Sequence, residues 1–95
     1  MTMSKTYEKK PSVVACELDG GSVLLDLDTS RYFGLNTVGL VVWEHLSMPQ
    51  TIGQLCKIVE TTFDVSEDIC RPDLEQLMAQ LLERKLVTSQ VGSAV

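Results

Sequence analysis

Few side chains in this chain of 95 residues could do chemistry, and their spacing decides how little they can do together. Asp26 and Asp28 come nearest to a carboxylate pair. Alternate residues of a strand share one face, no base or nucleophile stands beside them, and that face reads as solvated. Leu25 and Leu27 then read as the apolar face of the same strand. His45, the single histidine, falls late in a predicted helix, where its ring meets either the C-terminal dipole or solvent. With Cys16, Cys56 and Cys70 it offers four soft ligands, yet the set lacks the paired short spacings that preorganise zinc. Gly20 and Gly21 belong to a turn, and Gly34 and Gly39 flank a helix start without dinucleotide-loop spacing. Neither a nucleophile–base pair nor a metal set nor a cofactor loop can be assembled, so the expected role is binding rather than catalysis, with no cofactor.

Binding depends on the elements that carry these residues. Residues 23–43, VLLDLDTSRYFGLNTVGLVVW, read as strand, turn, strand and an abrupt helix start. Asp28-Thr29-Ser30 is the turn cluster, and Asn36 is placed to cap the apolar run at 38–46. An earlier strand at 13–18 closes on Asp19-Gly20-Gly21, which gives a three-stranded antiparallel meander. The first helix is apolar nearly all round and must be buried on several sides. Thr51 and Gln54 form a capping box for a second helix reaching about Phe63, with Ile52, Leu55, Cys56, Val59 and Phe63 on one stripe.

Ser66 is placed to cap a third helix, whose Glu67 and Asp68 complement its dipole. Pro72 implies either a kink or a late second start near Arg71. From 73 to 85 a wide stripe of Leu74, Leu77, Met78, Leu81 and Leu82 follows, and 86–88 has the composition of a short wing strand. The expected architecture is an α+β domain of winged helix-turn-helix type, a three-stranded antiparallel sheet followed by three helices. It spans residues 13–88, between flexible ends at 1–12 and 89–95.

Charge narrows the partners. The net charge is −5, and across residues 51–88 four cations, Lys57, Arg71, Arg84 and Lys85, face seven carboxylates. That balance disfavours a nucleic-acid backbone. The start of the chain lacks an apolar signal core, and no run is long enough to span a membrane. Three cysteines far apart suit buried thiols in a reducing compartment, so a cytoplasmic chain without disulfides is expected.

A domain this small leaves little room for a deep cavity and favours a surface groove. Arg31, Tyr32, Phe33, Gly34 and Leu35 end the meander and so form an edge, with backbone groups free to pair with a peptide. Leu77, Met78 and Leu81 are placed to wall such a groove. The alternative is that these residues, with Tyr32 and Phe33, are simply core.

The segments VLLDLDTSRYFGLNTVGLVVWEHL and TIGQLCKIVETTFDVS, with the leucine-rich helix ending ERKLV, resemble the PqqD-like family. Its members are precursor-peptide recognition elements of ribosomally made, post-translationally modified peptides. The resemblance implies three strands before three helices, and a leader peptide added as a strand to the third strand in a cleft against the third helix. On this sequence the implied backbone partners are Arg31, Tyr32, Phe33, Gly34 and Leu35, and the implied facing wall is Asp73, Leu74, Leu77, Met78 and Leu81. Short chains with an LDLDT-x-RYFGLN segment are most similar to the leader-binding protein of lasso-peptide biosynthesis. That protein presents the leader to a cysteine protease of transglutaminase-like fold, ahead of a macrolactam-forming cyclase. Lasso leaders commonly carry Tyr-x-x-Pro-x-Leu. Two other readings stay open: a partner of a radical-SAM enzyme, as in quinone-cofactor synthesis, and a winged-helix DNA-binding regulator, which the acidic charge disfavours.

Overall fold

The computed structural model describes residues 2–94. Its elements run β1 (Thr2–Lys9), β2 (Val13–Leu18), β3 (Gly21–Asp26), β4 (Arg31–Leu35), α1 (Thr37–His45), β5 (Gln50–Thr51), α2 (Ile52–Phe63), α3 (Glu67–Glu83) and β6 (Val87–Ala94). The α+β class and the order of three meander strands before three helices are as expected.

β2 and β3 are joined by Asp19 and Gly20, both at positive φ (51° and 81°), the hairpin geometry that follows the strands' own twist. The next turn ends with Ser30 at φ 60°, and its N–H donates to the Asp26 carbonyl oxygen at 2.7 Å. Registers of Val13↔Asp26 and Leu24↔Phe33 set the order β2-β3-β4 and leave β4 at an edge.

The inward face of β3 is the opposite of the one read from sequence. Leu24 and Asp26 point into the protein, while Leu25 is only half-buried and Leu27 is exposed beyond the strand end. Asp26 is tolerated inside because its polar atoms are satisfied there. The Ser12 hydroxyl and the Asp28 N–H donate to Oδ1 at 3.2 and 3.0 Å, and Lys10 Nζ lies 3.6 Å from Oδ2.

The helices begin at predicted caps. Gly39 N–H donates to Asn36 Oδ1 at 2.8 Å, and Thr51 with Gln54 makes both bonds of the capping box. Ser66 has cap geometry but its side chain makes no capping bond. α3 runs unbroken through Pro72, which corrects the expected second start near Arg71. Pro72 and Asp68 both face solvent, so the carbonyl that the proline leaves unpaired can be hydrated. Lys85 closes α3 in the left-handed region (φ 61°), with Leu86 N–H donating to Leu81 O and Lys85 N–H to Leu82 O.

The largest correction is at the ends. Residues 2–9 and 89–94, expected to be flexible, belong to a second sheet of order β5-β1-β6. β1 pairs with β6 from Thr2↔Ala94 to Lys9↔Val87, and with β5 at Thr6↔Thr51 and Tyr7↔Gln50. Lys9 N–H donates to Leu46 O and Lys10 N–H to Leu86 O, which ties β1 to the ends of α1 and α3. Tyr7 is buried, and the Lys9 ammonium sits 5.1 Å from the Trp43 ring centroid. The expected wing strand at 86–88 is thus the start of the longer β6. Met1 and Val95, also expected to be flexible, lie outside the described residues.

Candidate functional site

The C-terminal end of α3 stands beside β4: the Arg84 guanidinium carbon is 5.4 Å from the Phe33 ring centroid, and Glu83 and Arg84 line a depression together with Arg31 and Tyr32. Within β4, Arg31, Tyr32 and Gly34 are exposed, while Phe33 and Leu35 are half-buried against the core. The strand therefore presents alternate side chains to solvent and keeps one backbone edge unpaired by any described strand.

Two depressions lie near this strand, one lined by its first two residues and the other by Asn36, just past its last. The larger, about 430 Å³, lies past Leu35, between the start of α1, the end of α2 and α3 from Ile69 to Gln80. Val38, Phe63, Val65, Ile69 and Leu77 give it apolar walls, and Asn36, Asp73, Gln76 and Gln80 are its polar groups. Gly39 shapes its side: a Cβ there would stand 3.0 Å from Leu35 Cδ2 and 3.3 Å from Asn36 Oδ1, so a larger residue would push on the cap. The smaller depression, about 240 Å³, is lined by Arg31, Tyr32, Glu83, Arg84 and Leu86.

Of the residues implied for the facing wall, Asp73, Leu74 and Leu77 line the larger cleft. Met78 and Leu81 do not. At 0% and 1% exposure they belong to the core. Leu74, although it lines the cleft floor, is also almost wholly buried. Sequence reasoning missed Val38, Phe63, Val65 and Ile69 as lining residues. The legible signal was Ile69, an apolar residue in an acidic first turn; it is 68% exposed and anchors no core contact.

Other chemically capable groups are otherwise engaged. His45 Nδ1 donates to the Val41 carbonyl oxygen at 2.9 Å. Burial pushes the Cys56 thiol up, the neighbouring Cys70 adds to that, and Cys56 stays protonated at neutral pH. Among the described residues, no three His, Cys, Asp or Glu side chains gather as a metal site, and no helix is long and apolar enough to cross a membrane.

Residues 21–87 match the family described as Coenzyme PQQ synthesis protein D (PqqD), a span covering well over half of the chain. The chain belongs to the PqqD family. No curated protein matches it by sequence. Two solved structures share the fold of this PqqD-family chain. TbiB1 in complex with the TbiA(beta) leader peptide superposes with a TM-score of 0.71 at 26% identity, covering 93% of this chain and 99% of that one. Lasso peptide synthetase B1 complexed with the leader peptide gives 0.70 at 20% identity, covering 86% and 96%, and at that identity shows the fold alone. Both likenesses extend beyond the family match at its N-terminal side or C-terminal side, as their coverage requires.

Proposed function

We propose that this PqqD-family chain is a non-catalytic adaptor that binds the leader segment of a ribosomally made precursor peptide, of the lasso class. The leader adds as a strand to β4 and lays side chains against α3. The observation that carries this reading is the unpaired β4 edge beside an apolar cleft of about 430 Å³, in a chain whose fold matches two leader-bound proteins over nearly its whole length. Arg31, Tyr32, Phe33, Gly34 and Leu35 supply the pairing edge, and Asp73, Leu74 and Leu77 supply the wall. Holding the leader raises its effective concentration at a cytoplasmic partner enzyme, a transglutaminase-like cysteine protease acting before a macrolactam-forming cyclase.

The test is fluorescence anisotropy with a labelled leader from the precursor gene beside this one, and a scrambled leader as control. Saturable binding of the true leader alone is expected; equal or absent binding of both peptides overturns the reading. The family match to a PQQ synthesis protein keeps a radical-SAM partner as the second reading, distinguished by whether the neighbouring gene encodes an iron–sulfur enzyme or a small protease.

A further inference from the structure

The two depressions differ in chemistry, and that difference reads out what kind of peptide the edge takes. This inference rests on the peptide-binding reading above. The smaller depression carries two guanidiniums, Arg31 and Arg84, against one carboxylate, Glu83, in a chain whose net charge is −5. Neither arginine is in an ion pair: the pairs among the described residues are Lys10–Asp26 and Arg71–Glu67. Arg31 stands opposite Asp26 across the sheet, but that carboxylate is already taken by Lys10, Ser12 and the Asp28 N–H. The Arg84 guanidinium carbon lies over the Phe33 ring at 5.4 Å from its centroid, a cation–π distance, and its N–H groups are charge-assisted donors for a carboxylate.

The larger cleft is the opposite case. Its walls are apolar, and Asp73 is the only charged residue lining it, so an acidic side chain is repelled there. Both depressions share α3 as a wall, so two side chains of one strand that enter them must point to the same face, which requires an even spacing. From Arg31, which lines the smaller depression, to Leu35, the last residue of β4 before Asn36 and the larger cleft, the edge advances about four residues at about 3.4 Å each.

We infer that the groove selects a strand with an Asp or Glu about four residues from a large apolar side chain. The carboxylate meets Arg31 and Arg84, and the apolar group enters the cleft beside Asn36. The charge difference between the two ends sets which way the strand lies.

The probe is a displayed library of short random peptides selected on the intact chain, and in parallel on the Arg31→Glu/Arg84→Glu variant, both checked for folding by circular dichroism. Native protein should enrich the acidic–apolar spacing, and the variant should replace the acid with Lys or Arg at the same position. For one enriched peptide, Glu→Gln should weaken binding to the native chain about fivefold at low salt, with the difference shrinking as salt rises. Peptides enriched for the apolar anchor alone, or unchanged on the variant, overturn this inference and leave the peptide-binding reading standing. If nothing is enriched on folded protein, both fall. Should charge reversal unfold the chain, the Glu→Gln comparison on native protein decides, and equal affinity of the two peptides overturns the inference.

Discussion

Asp26 holds the corner where the β1–β2 link, β3 and the following turn meet. Burial pushes its carboxyl up, but the Asp28 N–H, the Ser12 hydroxyl and the Lys10 ammonium more than reverse that and leave it below its ordinary value of 3.8. A carboxyl that is more acidic folded than unfolded contributes stability above that ordinary value, and loses it as the pH falls through the folded value. Asp26→Asn should therefore be less stable than the native chain at about pH 7 and lose less on acidification to about pH 3, read from urea midpoints. Parallel acid losses in the two proteins would acquit Asp26. Its inward placement was hidden in the sequence because its partners lie at Ser12 and Lys10, not in its own strand; local alternation alone put it in water. Two of the three cysteines are buried as expected. Cys56 and Cys70 are buried and Cys16 is half-exposed, so iodoacetamide on the folded chain should label Cys16 first, as followed by mass spectrometry. Equal rates would mean that α2 and α3 open readily.

At the scale of elements, boundaries set by neighbouring residues were readable and those set by solvent were not. Asn36, Thr51 and Gln54 act within one helical turn, and each makes the bond its type and position imply. Pro72 deceived because its cost depends on whether the Asp68 carbonyl can reach water, a property of the folded surface. The end of α3 is improvable. Lys85 occupies a left-handed position that glycine fills at no steric cost, while glycine adds freedom to the unfolded chain. Lys85→Gly should be more stable by about 0.5 kcal/mol, seen as a raised urea midpoint; a lowered midpoint would show that the lysine stem contributes packing. The cleft walls allow a cleaner separation of binding from folding. Ile69→Glu changes an exposed side chain, so its melting temperature should stay within about 2 °C of native while leader affinity drops about tenfold. Undiminished affinity would remove the first turn of α3 from the site.

The whole molecule is where the sequence was least informative. Nothing in the composition of residues 2–9 announces that they will be the middle strand of a sheet, because both partners, β5 and β6, lie far along the chain. The edge strand and the third helix were more legible, since each has a local signature; which leucines of α3 are core depends on how α2 packs, and that is set by residues far away in the chain. Deleting residues 1–9 removes the buried Tyr7, worth about 2 kcal/mol, and each kcal/mol moves the midpoint of so small a domain by roughly 4–8 °C. The truncated chain should melt at least about 8 °C lower by circular dichroism. An unchanged melt would place β1 outside the folding unit.

The pairing of Thr2 with Ala94 has a mechanical side as well. With both free ends of the ribbon at the same place, tension applied between them loads the ladder one rung at a time, as in a zipper, rather than all rungs at once in shear. A molecule pulled by its ends would shed β1 and β6 first, at low force, before any load reached the hairpins of β2, β3 and β4.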